Sequence, residues 1–109
     1  MSDFLATIKE LASRDEVKIS EHGYDELAED GILVRDIVSG LFGAEIVEDY
    51  PEYHKGPCIL VLEYDANGKP IHAVWGIPKG KSSPAVLVTA YRPDENRWSS
   101  DFRRRKNDN

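Results

Sequence analysis

Apolar residues recur at helical spacing over the first third of the chain and at strand spacing after it. Phe4, Leu5, Ile8 and Leu11 share one face of a 3.6-residue period, with Ser2 or Asp3 placed to cap the start. Val17-Lys18-Ile19 is a short extended lead-in. Ser20 then reads as an N-cap with Glu21 in the first turn, where a carboxylate suits the positive end of a helix. The helix it opens runs to about Asp30 and stops at Gly31, a residue suited to the left-handed position past a helix end. A further short helix over about 33–41 puts Val34, Ile37, Val38 and Leu41 on one side and ends before Gly43.

From there the period shortens to two. Residues 44–50 form a strand that Pro51 ends. Residues 57–64 form a second, and its unbroken apolar run from Cys58 to Leu62 predicts a central strand covered on both faces. Asn67-Gly68 marks a hairpin turn within 65–69, because such turns need positive φ angles. Residues 71–77 and 85–91 complete a four-stranded meander, joined by the loop 78–84. Helices followed by an antiparallel meander define an α+β domain. It occupies 1–109 as a single unit, with a polar tail that frays from about residue 104.

Composition narrows the setting. A chain of 109 residues is long enough for one core without covalent staples. It holds no stretch that could span a bilayer and no leader of the secretory type at its start, so no membrane partner is expected. The lone Cys58 cannot form an internal disulfide, which points to a reducing, cytoplasmic location. The net charge of −6 argues against a generic nucleic-acid coat. That charge is uneven: residues 1–56 carry 14 acidic and 5 basic side chains, residues 57–109 carry 6 and 9.

Candidate chemistry gathers around the last strand. Thr89 and Tyr91 are read on one face together with Leu87, and Arg92 follows at the strand end before Pro93-Asp94 and Trp98. A hydroxyl and a phenol side by side can hold a phosphate or protonate a leaving oxygen; a guanidinium can stabilise a phosphorane. Equally, Thr and Tyr are ordinary strand residues, Arg92 can pair with Asp94 or Glu95, and Trp98 reads as a plug for the core. His22, in the first turn of a helix, is a candidate general base, or else packs the helix on the sheet. His72 alternates with Ile71 and Ala73, so it lies opposite Trp75 on the face of Val74, as a candidate base or else a core histidine. Lys55, in the polar loop 52–55, and Lys79 and Lys81, in the loop 78–84, are candidate binding residues or solvated loop charges. His22, His54 and His72 lack the paired spacing of metal ligands, Cys58 sits in an apolar run as an inert thiol does, and no cofactor fingerprint appears.

The order Ser20-Glu21-His22, a helix ending Gly31-Ile32, a second helix, an apolar meander, Thr89-Ala90-Tyr91, then Arg92-Pro93-Asp94 to Trp98 resembles the bacterial domain-of-unknown-function family DUF4258. The resemblance runs from about Ile19 to Arg104. It implies a relation to the RelE-like and BrnT-like ribonuclease toxins of toxin–antitoxin pairs. Their fold has two or three N-terminal helices packed on one face of a four-stranded, mainly antiparallel, twisted sheet. By that likeness the partners are RNA and an antitoxin-like protein. The family has no settled activity of its own; the expectation that class raises is metal-independent RNA cleavage, with His22 or His72 as base, Arg92 on the phosphorane and Tyr91 as orienting group or acid. One departure stands out: relatives often carry arginines near the positions of Glu26 and Asp30, which would remove two phosphate contacts here. The competing reading is a non-catalytic module of the same fold that binds a protein or a small ligand.

Overall fold

The computed structural model describes residues 3–106, which form three helices and a five-stranded sheet. Helix α1 is Asp3–Ser13, α2 is Glu21–Asp30 and α3 is Val34–Leu41. The alternative cap Ser2 lies outside the described residues, as do the last three positions of the tail. Ser20 caps α2 through its hydroxyl, which accepts from the Gly23 amide, and Gly31 ends it at φ 64° with amide bonds back to the last turn.

The strands are β1 (Val17–Ile19), β2 (Glu45–Tyr50), β3 (Cys58–Tyr64), β4 (Pro70–Gly76) and β5 (Ala85–Tyr91), ordered β1-β5-β4-β3-β2. The four expected strands pair antiparallel. The lead-in is a fifth, and it pairs parallel to β5 through Val17–Ala85, Lys18–Val86 and Ile19–Leu87, so the sheet is mixed. Three residues are too few to show a period. The pairing joins segments almost 70 positions apart, and no local pattern encodes that.

All three helices lie on one face. Ile8 and Leu11 from α1, Leu27 from α2, and Ile37 and Leu41 from α3 are buried in a single cluster with the inward side chains of the sheet. Full burial of each such side chain contributes roughly 1.5–3 kcal/mol. Strand register sorts the sheet residues cleanly. Ile59–Trp75–Leu87 and Val61–Ala73–Ala90 form rows under the helices. On the other face the rows are Glu45–Leu62–His72–Tyr91, Glu48–Leu60–Val74–Thr89 and Tyr50–Cys58–Gly76–Val86.

A bulge in β5 alters one expectation. The register shifts between Val74 and Trp75, so Val88 is an extra residue opposite them. Leu87 thereby turns to the helix side, while Thr89 and Tyr91 keep the open face. The three do not share a face.

Candidate functional site

The open face of the sheet is divided in two. One half ends in a cleft of about 390 Å³ where β3 and β5 begin and β4 ends. Its floor is Cys58, Gly76, Val86 and Val88, and the head of α2 and the 51–57 loop rise beside it. Ser20 fixes the helix head, because its hydroxyl also donates to the Val88 carbonyl at 2.8 Å. His22 follows two residues on, at the cleft mouth, with its side chain 66 % exposed and Nε2 3.6 Å from Glu26.

Glycine is required in the facing loop. Gly56 has φ 129°, and a Cβ there would lie 2.1 Å from the Ile77 carbonyl oxygen. The close approach lets the two loops lace together: Ile77 donates to the Pro57 carbonyl and Lys79 to the Lys55 carbonyl at 3.0 Å. Lys55 and Tyr53 thus join His22 on the cleft lining. An adjoining groove carries Lys18, Glu21 and Lys81. Four of the candidate residues, His22, Lys55, Lys79 and Lys81, are gathered at this end of the sheet.

The other half is covered by the chain's own C-terminal segment, residues 93–106. Trp98 is 3 % exposed and packs edge-on against His72, with ring centroids 4.3 Å apart. His72 is fully buried, and its Nε2 lies 2.8 Å from the Phe102 carbonyl. With Nε2–H as the donor, Nδ1 is left buried without a hydrogen-bond partner. Burial holds its pKa below the ordinary histidine value, an effect the Phe102 carbonyl partly opposes. Arg103 grips Glu45 through two bonds of 3.0 and 2.8 Å, and Arg105 grips Glu48 through two of 2.6 and 3.0 Å. Arg105 also lies over the Trp98 ring at 4.7 Å, and Tyr50 donates to Glu48. Beyond residue 104, where fraying was expected, Arg105 is held by these contacts and Lys106 donates to the Arg97 carbonyl.

Tyr91 belongs to this covered half, with its ring 5.5 Å from that of His72 and its phenol pKa raised by burial. Arg92 turns elsewhere. It pairs with Asp65 at 2.8 Å and donates to the Pro70 carbonyl, so its partner is the β3–β4 turn and not Asp94 or Glu95. Its backbone amide donates to Asp30, one of the two acidic departures; Glu26, the other, faces His22. Asp65 also caps its own turn, and the Lys69 amide, with Arg92, holds its pKa low. Thr89 lies half-buried on the open face and lines neither the cleft nor the groove. The cleft that His22 lines includes none of His72, Tyr91 and Arg92.

The pattern of the sequence passed over one buried group, Glu63. It is fully buried, one Oε accepts from the Trp75 indole at 3.2 Å, and the other has no hydrogen-bond partner. Burial pushes its pKa up to about 8. The signal was present: two-residue alternation from Ile59 and Val61 puts Glu63 on the helix face. Cys58, by contrast, is the buried thiol expected, and burial raises its pKa.

Among the described residues no three His, Cys, Asp or Glu side chains come together as a metal would require, and no helix is long and apolar enough to cross a membrane. The class is therefore an α+β domain with a helix-covered mixed sheet and a partly strapped open face. The family model for the domain of unknown function DUF4258 matches residues 19–92, and the chain belongs to that family. The match stops at Arg92, so the segment that straps the open face lies beyond it. No curated protein and no solved structure matches the chain.

Proposed function

We infer that this domain is a non-catalytic binding module whose working surface is the cleft at the head of α2. The observation that carries the reading is the division of the open face. Cleavage of RNA without a metal needs a base, a phosphorane donor and an acid around one phosphate. Here His72 is engaged with the strap, Tyr91 packs against His72, Arg92 is neutralised by Asp65, and His22 stands apart in the cleft. The fold is read as a variant of the RelE-like and BrnT-like arrangement, retained for recognition in the cytoplasm, with an antitoxin-like protein as an alternative partner.

One observation favours a second reading, a toxin-type domain that binds or cleaves RNA. His22 and Lys55 line the same cleft, a base beside a phosphate-binding cation. Incubation of RNA with the metal-free protein separates the two. The binding-module reading expects RNA to remain intact with wild type, His22→Ala and Arg92→Ala alike. Cleavage by wild type that either substitution abolishes would overturn it, and growth arrest on expression would point the same way.

A further inference from the structure

The make-up of the cleft narrows what it can hold. In a chain with 20 acidic side chains and a net charge of −6, no carboxylate among the described residues lines it, and those nearest act from outside, Asp49 on Cys58 and Glu26 on His22. The basic groups on its lining are His22 and Lys55, beside the phenol of Tyr53 and the buried thiol of Cys58. The adjoining groove adds Lys18 and Lys81 against a single acid, Glu21. An acidic protein repels an anion over most of its surface, so a locally cationic rim selects where one can settle.

Hydrogen-bonding capacity inside is small. The Ser20 hydroxyl already accepts from Gly23 and donates to Val88. The amides of Ile77 and Lys79 are used in joining the two loops, and that of Gly56 donates to the Tyr53 carbonyl within its own loop. Among the described residues no amide or carboxylate side chain lines the space to read the edge of a nucleobase or the hydroxyls of a sugar. Such groups would be desolvated without partners, which weakens binding. What remains is apolar: Gly76 leaves the floor flat between Cys58 and Val86, and Val88 and Ile77 continue it. A volume of about 390 Å³ suits one or two rings or a short chain.

We propose that the cleft binds a small hydrophobic carboxylate, with its apolar body on the Val86–Val88 floor and its anionic group at Lys55 beside His22. This rests on the reading of the cleft as a ligand site and adds the class of ligand. Lys55 supplies the charge and Tyr53 an aromatic wall.

The test is amide chemical-shift mapping of the full chain, labelled with ¹⁵N and titrated separately with 2-naphthoate, its neutral counterpart 2-naphthamide, and 5′-AMP. Saturable shifts at Gly76, Val86 and Val88 are expected with 2-naphthoate. Loss of one charge-assisted contact predicts about tenfold weaker binding of 2-naphthamide, and at least about tenfold weaker binding of 2-naphthoate to Lys55→Glu. Lys55 is exposed, so the variant's amides away from the cleft should not move. Equal affinity for 2-naphthoate and 2-naphthamide overturns the proposal, as does binding that Lys55→Glu leaves unchanged. Tighter binding of 5′-AMP at the same amides also overturns it, yet keeps the cleft as a binding site. If no probe moves the cleft amides, the ligand class falls, and the binding-module reading then stands or falls by the RNA test alone.

Discussion

Replacing Glu63 with glutamine should make the protein more stable in alkaline solution, with a size that follows from its surroundings. The carboxyl is fully buried between β3 and α3, close to Gly40, and its one hydrogen-bond partner is the Trp75 indole. In the unfolded chain it loses its proton near the ordinary value of 4.5, whereas in the native protein it keeps it to about pH 8. The native state therefore binds one proton more across that window, and stability falls as pH rises, by about 1.4 kcal/mol per pH unit. The full loss by pH 8 approaches about 5 kcal/mol, a large part of the stability of a small domain. Glutamine keeps a carbonyl for the Trp75 N–H and has nothing to titrate. Urea unfolding followed by circular dichroism at about pH 5 and about pH 9 measures the difference. Wild type should lose several kcal/mol more than Glu63→Gln between the two. Parallel losses would refute the claim that the native core holds a protonated Glu63.

Other substitutions probe the strap, the helix head and the loops. Trp98→Ala should cost about 3–5 kcal/mol, since it empties a buried site and uncovers His72, and its effect should show as a lowered urea midpoint. Ser20→Ala should cost about 1 kcal/mol from the lost cap, more where the Val88 carbonyl is left unpaired, measured the same way. Gly56→Ala forces a Cβ against the Ile77 carbonyl, so the amide signals of the two loops should shift or broaden even if the core remains folded.

Periodicity made the elements legible, because helix α2 and strands β2 to β5 each carry a pattern long enough to read and a residue that ends it. Gly31, Pro51 and Asn67-Gly68 all punctuate the chain where expected. Strand β1 was beyond such reading, since its three residues owe their conformation to β5 and not to their own order. The bulge at Val88 was hidden for the same reason, and it moved Leu87 away from Thr89 and Tyr91. The candidate site was legible as residues and not as a place. His22, Lys55, Lys79 and Lys81 do come together, but through the lacing of two loops around Gly56. Arg92 meets Asp65 across the sheet, and His72 meets Trp98 and Phe102 through a tail whose basic run gave no hint of the carboxylates it would grip on β2. Glu63 could have been found from alternation alone; its placement under α3 needed the packing.

Whether the open face is truly divided is tested most directly by imidazole nitrogen spectra of the full chain through the acid range. His72 is expected to be a neutral ring with the proton on Nε2 and to resist protonation until the pH is clearly below histidine's ordinary 6.5. A His72 ring that titrates at the ordinary value and exchanges freely with water would contradict it. The strap would then not cover that half of the sheet, and His72 and Tyr91 would again be available for catalysis.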